Sequence, residues 1–467
     1  MRPPKEYCGL FGVSNNDSAA KIAYLGLYAL QHRGEESAGI AVWDGKQINS
    51  HKATGLVNDV FPPNVIDQLK GSLAIGHVRY STTGSSTIKN AQPIHIVCKQ
   101  GPIAIGHNGN LVNSLHLRKS LEKQGAIFQS TTDSEIIVHL ISRSKHKVFE
   151  KALLESLAQI KGSYSLIILV PKKIIAVRDP QGFRPLVIGK VDNSFIVASE
   201  TCALDLVNAR YLRDVEAGEI VILDEKGLHS WKPEQLQSGF LSYCIFEHIY
   251  FARPDSIVFG KNVYEIREAL GRTLAKNHPA DADIVVPVPD SGVTAAIGYA
   301  HQSGLPFEMG MIRNHYVGRT FIQPSQQLRD LGVKIKLNPV KSVLKGKKVV
   351  VVDDSIVRGT TSQARIKTVK DAGAKEVHLR ISCPPHRHPC FYGIDFAHSS
   401  ELIASRNNTE QIRNFIGADT LEYLTVEELL SVEGEDKDKY CSACFTGKYP
   451  VKCKKPEGKY CLECQKI

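Results

Sequence analysis

Val349-Val350-Val351-Val352-Asp353-Asp354-Ser355-Ile356-Val357-Arg358-Gly359-Thr360-Thr361 sets a run of β-branched residues against a pair of acids and a Gly-Thr-Thr loop. The valines read as a strand buried on both faces, as in a parallel sheet. The two acids fall at its C-terminal end, where open α/β sheets hold their ligands. The loop then opens a helix, and backbone N–H groups with hydroxyls at a helix start form a phosphate cradle. A capping aspartate would account for one acid but not for the second acid and the loop. Outward from this string, residues 284–288 and 377–381 read as further strands. Residues 293–299 read as a helix, and so do residues 361–372, which end at Gly373. Strand, helix and strand at this spacing predict a parallel α/β sheet. A second loop, Val286-Pro287-Val288-Pro289-Asp290-Ser291-Gly292, follows the first of these strands.

The first half has another rhythm. Short apolar runs at 40–43, 73–75, 103–105, 166–170, 174–177, 195–198 and 220–223 read as strands. Residues 19–30 and 133–140 carry helical apolar spacing. Many strands with few helices predict packed sheets with helices outside. The Lys-, Gln-, Gly- and Ser-rich stretch 226–239 marks a domain boundary. Cys8-Gly9-Leu10-Phe11-Gly12 opens this half. Cys8 reads either as a small buried residue on a first strand or as a nucleophile exposed by cleavage after Tyr7. A free α-amine has a pKa near ~8, so it can serve as the general base for its own side chain.

The length of 467 residues predicts two or three domains. The net charge of +10 is mild for that length; it calls for no nucleic-acid partner and suits phosphate-bearing ligands. Apolar runs are of strand length, so no membrane span is predicted. Residues 1–7 lack the apolar core of an export signal. Of 11 cysteines, Cys441, Cys444, Cys453, Cys461 and Cys464 crowd the end of the chain. Such clustering points to metal or catalysis, and Cys441-x-x-Cys444 with Cys461-x-x-Cys464 has zinc-ribbon spacing. Residues 431–467 read as a cysteine-held appendage.

Four separated motifs carry a family likeness. They are Cys8-Gly9, Gln31-His32-Arg33-Gly34, Gly76-His77-Val78-Arg79-Tyr80 and Gly106-His107-Asn108-Gly109-Asn110. In this order they resemble the class II glutamine amidotransferase domain, an N-terminal-nucleophile hydrolase built as an αββα sandwich, over residues 8–235. The resemblance implies that Cys8 attacks the glutamine side-chain amide, and that Asn108 and the Gly109 N–H form an oxyanion hole. It implies Arg79 at the α-carboxylate, Asp133 at the α-ammonium, and Arg33 and Gly34 lining the pocket. Asp133 also reads as a helix N-cap, and His32, His77 and His107 read as loop supports.

The acid-pair string resembles the phosphoribosylpyrophosphate loop of type I phosphoribosyltransferases, assigned to residues 236–430. This implies Asp353 and Asp354 at the ribose hydroxyls and Mg²⁺. Ser355, Arg358, Gly359, Thr360 and Thr361 would lie around the 5-phosphate, and Ser291 at Mg²⁺. The segment Arg313-Asn314-His315-Tyr316-Val317-Gly318-Arg319-Thr320-Phe321-Ile322, ahead of Arg329, Lys334 and Lys336, looks like a mobile closing loop or an ordinary basic surface loop.

The two halves in this order resemble the glutamine phosphoribosylpyrophosphate amidotransferase family over residues 8–450. The resemblance implies transfer of ammonia from glutamine to phosphoribosylpyrophosphate, inside the protein, as the first committed step of purine synthesis. It also implies a cleaved propeptide at 1–7, a cytoplasmic homotetramer with purine nucleotides as feedback inhibitors, and neither nucleic-acid nor membrane partners. A [4Fe–4S] cluster on Cys244, Cys390, Cys441 and Cys444 is implied too. Cys453, Cys461 and Cys464 exceed that pattern, so a second metal site or a change of ligands stays open. Two rivals are a glucosamine-phosphate synthase, against which the acid pair argues, and a non-catalytic regulator, which needs no N-terminal Cys-Gly.

Overall fold

The computed structural model describes residues 8–80, 84–314, 337–395, 399–452 and 462–463. The expected leader at 1–7, Cys453, Cys461, Cys464 and most of the closing-loop segment, from His315 on, lie outside the described residues.

The N-terminal half stacks two antiparallel sheets. One runs in the order Arg210–Asp214, Val187–Val191, Ser194–Ala198, Gly9–Val13, Leu73–Arg79, Ser37–Trp43, Ile48–Thr54. The other runs Gly227–Trp231, Ile220–Asp224, Lys173–Arg178, Gly162–Val170, Gly101–Leu111, Ile94–Cys98. Leu10, Ile75, Ala104, Ile167 and Leu169 meet in the core between the sheets. Phe11 and Val13, on the opposite face of the same strand, pack with Leu27 of the helix Ala19–Ala29. Ile103, Leu166 and Ile168 of the second sheet pack outward against the helices Ser134–Arg143 and Phe149–Leu157. Each sheet is therefore sandwiched between a sheet and helices. That double burial is why its central strands read as continuous apolar runs. The expected αββα architecture is what the chain adopts.

The second half holds a parallel sheet in the order Ile284–Pro287, Lys348–Asp353, Glu376–Ile381, Thr420–Tyr423. Helices Val263–Asn277 and Val293–Ser303 pack on each other beside it. The former, 15 residues long, starts where the Asn262 side chain accepts from the backbone N–H groups of Tyr264 and Glu265. That capping holds down two of the donors a helix start leaves unpaired.

Gly227–Trp231 pairs with Ile220–Asp224, so the connection between the domains falls in the later part of the stretch 226–239. The tail is not an appendage as far as it is described. Tyr440–Cys441 pairs in parallel with Tyr243–Cys244, and Cys444 and Phe445 are buried. Val112 and Phe183 of the first domain share a core with Tyr392 of the second, against which Tyr449 and Val451 of the tail pack. Among the described residues no helix is long and apolar enough to cross a membrane.

Candidate active site

The antiparallel register builds the first site. Gly9 pairs with Val78, which brings Arg79 and Tyr80 beside Cys8. The Cys8 thiol donates to the Tyr80 carbonyl at 3.5 Å. The strand Gly101–Leu111 of the facing sheet brings His107 and Gly109, and the turn into the helix Ser134–Arg143 brings Thr132 and Asp133. These residues, with Gln92 and Ser134, line a pocket around Cys8.

The pocket's polar groups are held from behind. The Asp133 carboxylate accepts from the Leu111 N–H at 2.8 Å and lies 3.6 Å from His107 Nδ1. Burial pushes its pKa up, but His107 and the backbone donor outweigh this and leave it below the ordinary value. Asp133 stands at the N-cap position of its helix but makes no side-chain capping bond to it; its carboxylate is turned to Leu111 instead. His107 Nδ1 lies 3.0 Å from the Ser134 hydroxyl, and the His107 N–H donates to Gln92 Oε1 at 2.7 Å. Arg79 donates to the Ser85 carbonyl and keeps only 3% of its surface exposed. Burial pushes the Cys8 thiol up to about 11, against the pull of Arg79. At neutral pH it is a thiol and needs a proton acceptor to become a nucleophile.

Asn108 is fully buried, and neither polar atom of its side-chain amide has a partner among the described residues. An unpaired buried amide costs on the order of 1–3 kcal/mol, a cost typical of a donor kept for a ligand. Gly109 has φ +151°, and a Cβ there would sit 2.0 Å from the Ser163 carbonyl oxygen. Only glycine fits.

Arg33 does not join this pocket. It is 1% exposed, and its guanidinium is paired with Glu200 and, at 2.6 Å, with Glu247. Arg184 reaches Glu247 at 3.4 Å. Two arginines and two glutamates, all with fully buried side chains, close a neutral network across the seam between the domains. The motif that singled out Arg33 reports this clamp and not a glutamine contact. Gly34 meets the pocket wall: a Cβ on it would lie 2.7 Å from the Arg79 backbone. No local sequence pattern pointed to Glu200 or Glu247, because their partners are distant in the chain.

The second site lies at the C-terminal ends of the parallel strands. Pro287 pairs with Val352, so the loop with Ser291 and the acid pair are neighbours. Asp353 and Asp354 are 2% and 5% exposed. Arg365, on the helix Thr360–Asp371, donates to Asp353 at 2.6 Å, and the Ser355 hydroxyl donates to Asp354 at 2.5 Å. Burial raises the Asp353 pKa to about 7 despite Arg365, with the neighbouring Asp354 adding to the rise. Gly359, at φ +78°, starts the helix in the left-handed region, where a Cβ would meet Ile403 at 2.8 Å. Arg358 pairs with Glu401 and Asp290 with Arg313. The sequence reading singled out neither Arg365 nor Glu401; Arg365 lay within the predicted helix, with nothing to mark it as an ion-pair donor.

The four cysteines come from three separated segments. Cys244 is paired in register with Cys441. Cys244, Cys390, Cys441 and Cys444 are free thiols. Burial raises the pKa of each of the four, and Cys390 raises those of Cys244, Cys441 and Cys444 further. Among the described residues no three His, Cys, Asp or Glu side chains form a group able to hold a metal ion.

The two sites are joined by the stretch that follows the strand Glu376–Ile381. The Ser382 N–H bonds to the Asp353 carbonyl. Further along, Phe391 O accepts from Asn110, Tyr392 O accepts from Arg184, and Asp395 accepts from the Tyr80 hydroxyl. A Cβ on Gly393 would lie 3.2 Å from the Gly109 carbonyl carbon. One covalent segment thus runs from the acid pair to the wall of the Cys8 pocket.

Comparison with known proteins agrees with this two-site arrangement. Residues 77–206 match the glutamine amidotransferase domain family and residues 260–390 the phosphoribosyl transferase domain family. The chain is 50% identical to the chloroplastic amidophosphoribosyltransferase of Glycine max, over 96% of this chain and 79% of that one. It is 49% identical to the amidophosphoribosyltransferase of Bacillus subtilis, over 96% and 94%. The solved glutamine phosphoribosylpyrophosphate amidotransferase of B. subtilis, complexed with ADP and GMP, superposes with a TM-score of 0.90. It is 48% identical and covers 96% of this chain and 98% of its own.

Proposed function

The chain belongs to the amidophosphoribosyltransferase family, and from that premise we propose how its residues divide the work. Its activity is that of the glutamine-dependent amidotransferases of purine biosynthesis. Glutamine, phosphoribosylpyrophosphate and water give 5-phosphoribosylamine, glutamate and pyrophosphate.

Removal of residues 1–7 frees the Cys8 α-amine, which takes the thiol proton. The sulfur attacks the glutamine side-chain carbonyl, and the negative charge that develops on the oxygen is met by the Asn108 amide and the Gly109 N–H. Collapse expels ammonia and leaves a thioester that water hydrolyses to glutamate. Arg79 and Asp133 hold the α-carboxylate and α-ammonium. The observation that carries this reading is a buried thiol facing Arg79, Asp133 and Gly109 in one pocket.

On the second domain Asp353 and Asp354 take the ribose hydroxyls, and residues 355–361 take the 5-phosphate. Mg²⁺ fits here: one or two carboxylates plus substrate phosphates are its usual ligands, and two buried acids, with Ser291 on the adjoining loop, offer that set. When bound, it supplies charge neutralisation at the leaving pyrophosphate. The free thiols Cys244, Cys390, Cys441 and Cys444 would hold a [4Fe–4S] cluster, which takes four thiolates, and it would tie the start and end of the second domain to the tail. The zinc ribbon would instead need Cys461 and Cys464. A cytoplasmic homotetramer under purine-nucleotide feedback completes the reading; the ADP and GMP complex of the Bacillus relative supports the nucleotide part.

The test is glutaminase activity with and without phosphoribosylpyrophosphate, alongside intact mass and a visible spectrum. Expected are stimulation by phosphoribosylpyrophosphate, a mass beginning at Cys8, and brown protein with about four irons. Full glutamine-dependent turnover with residues 1–7 still attached sinks the amine's role. Colourless zinc protein indifferent to Cys244→Ser sinks the cluster. The unprocessed chain should alkylate at Cys8 faster as pH rises toward about 11, because the thiolate forms only above the raised pKa.

A further inference from the structure

Beyond the Cys8 pocket's own lining stands a residue from the far end of the chain. Leu462 is 2% exposed, which anchors this part of the tail. Glu463, next to it, stays exposed, but its Oε1 accepts from the Ser85 N–H at 2.5 Å and from the Thr131 hydroxyl at 3.0 Å. Those two donors belong to the separate segments that carry Arg79 and Asp133. Ser85 gives its carbonyl to Arg79, and Thr131 immediately precedes the lining residues Thr132 and Asp133. Asn90 bridges the same two loops from behind, donating to the Ser85 carbonyl and the Thr131 hydroxyl and accepting from the Thr131 N–H.

We infer that Glu463 is a positioning residue for glutamine: one carboxylate oxygen ties the Arg79 loop to the Asp133 loop and so fixes the spacing of the two groups that grip the substrate's α-carboxylate and α-ammonium. The physical case is geometric. Glutamine's carboxylate and ammonium sit on one carbon, so Arg79 and Asp133 serve it only at a fixed separation. Asn90 supplies one tie and Glu463 supplies the second, with charge-assisted bonds that are stronger than neutral ones. Burial raises the Glu463 pKa, but the bonds from Ser85 and Thr131 outweigh it and hold the carboxyl below its ordinary value, with the charge of Arg79 adding to them. The tail thereby enters the glutamine half of the reaction, although it lies beyond the residues that carry the family resemblance.

This inference rests on the glutamine-site reading above, and the test separates the two. Glu463→Ala and Glu463→Gln are compared with the unaltered enzyme in glutamine-dependent and ammonia-dependent synthesis. Glu463→Ala should raise the KM for glutamine about three- to fivefold at nearly constant kcat. Ammonia-dependent turnover should be unchanged, since ammonia bypasses the pocket. Glu463→Gln keeps an acceptor oxygen and should restore most of the affinity. A KM for glutamine that is unchanged or lowered, an equal fall with ammonia, or no difference between the two variants overturns the inference. If the unaltered enzyme itself uses glutamine no better than Cys8→Ala, the glutamine-site reading fails instead.

Discussion

The two catalytic halves meet their substrates in opposite ways. Around Cys8 the polar side chains are held by backbone groups and uncharged neighbours in the pocket wall: Asp133 by the Leu111 N–H, His107 by the Ser134 hydroxyl, Arg79 by the Ser85 carbonyl. Around Asp353 the binding groups hold one another or a nearby opposite charge: Asp353 with Arg365, Asp354 with Ser355, Arg358 with Glu401, Asp290 with Arg313. Phosphoribosylpyrophosphate has to replace those partners. A site for a small, nearly neutral amino acid can be pre-organised at low cost. A site for a multiply charged sugar phosphate holds charges that stay paired until the ligand arrives.

The sharpest way to break the comparison is to disable one half at a time. Cys8→Ala should reduce glutamine-dependent synthesis to background and leave ammonia-dependent synthesis intact. Asp353→Asn and Asp354→Asn should each lower synthesis by at least about a hundredfold with either nitrogen donor, since first contacts to a cation and sugar outrank outer-shell ones. Steady-state rates with both donors decide it. Near-normal ammonia turnover in either aspartate variant would leave that acid a structural role only.

The seam that joins the halves is the next largest effect. Arg33→Ala leaves Glu200 and Glu247 buried with one cation fewer, a loss of about 3–5 kcal/mol. Chemical or thermal unfolding should show it, with both activities lost together on mild warming. Glu200 is held below the ordinary carboxylate range, because Arg33 and His32 outweigh the burial that raises it. Its contribution is therefore present above the unfolded-state pKa and is lost only as pH falls through the depressed folded value. If Arg33→Ala affected glutamine use alone and left stability unchanged, Arg33 would be a pocket residue as the motif first suggested.

Gly109→Ala tests the pre-organised wall directly. A methyl group 2.0 Å from the Ser163 carbonyl forces the strand apart and moves the Gly109 N–H. Loss of one oxyanion donor costs about 10²–10³ in rate. Glutaminase should fall by that factor while ammonia-dependent synthesis changes far less.

These contrasts also explain what the sequence could and could not reveal. Strands sandwiched on both faces, such as Gly162–Val170 and Lys348–Asp353, carry their burial in their composition. Edge strands such as Ile48–Thr54, mostly half-buried or exposed, alternate weakly and pass for loops. Cys8, Asn108, Gly109 and the acid pair sit in short contiguous motifs, so the sequence could single them out as candidates; the structure places Cys8 and Gly109 in one pocket and buries the acids at the strand ends. Glu200, Glu247, Arg365 and Glu463 act through partners 12 to 378 positions away, and no local pattern records such a pairing. Arg33 was misassigned for the same reason: its motif is local, but its partners are not.

The smallest effect bears on the claim that the phosphoribosyl site exchanges partners. Arg358 is assigned to the 5-phosphate, and its guanidinium pairs with Glu401, at side-chain exposures of 30% and 36%. An ion pair this open to water is worth about 0.2–1 kcal/mol. If substrate has to break it, that energy is subtracted from binding. Glu401→Gln keeps the size of the side chain and removes its charge, so Arg358 meets the phosphate with less to give up. The KM for phosphoribosylpyrophosphate should fall by up to about fivefold, which is 1 kcal/mol expressed as an equilibrium ratio. The KM for glutamine, whose site keeps its partners throughout, should stay where it is. Arg358→Ala should move the first KM upward and cancel the gain in the double variant, because the two residues act through one contact. A KM for phosphoribosylpyrophosphate that rises in Glu401→Gln would mean that Glu401 orients Arg358 toward the phosphate and does not compete for it. The second site would then be as pre-organised as the first, and the contrast between the two halves would fail at that point.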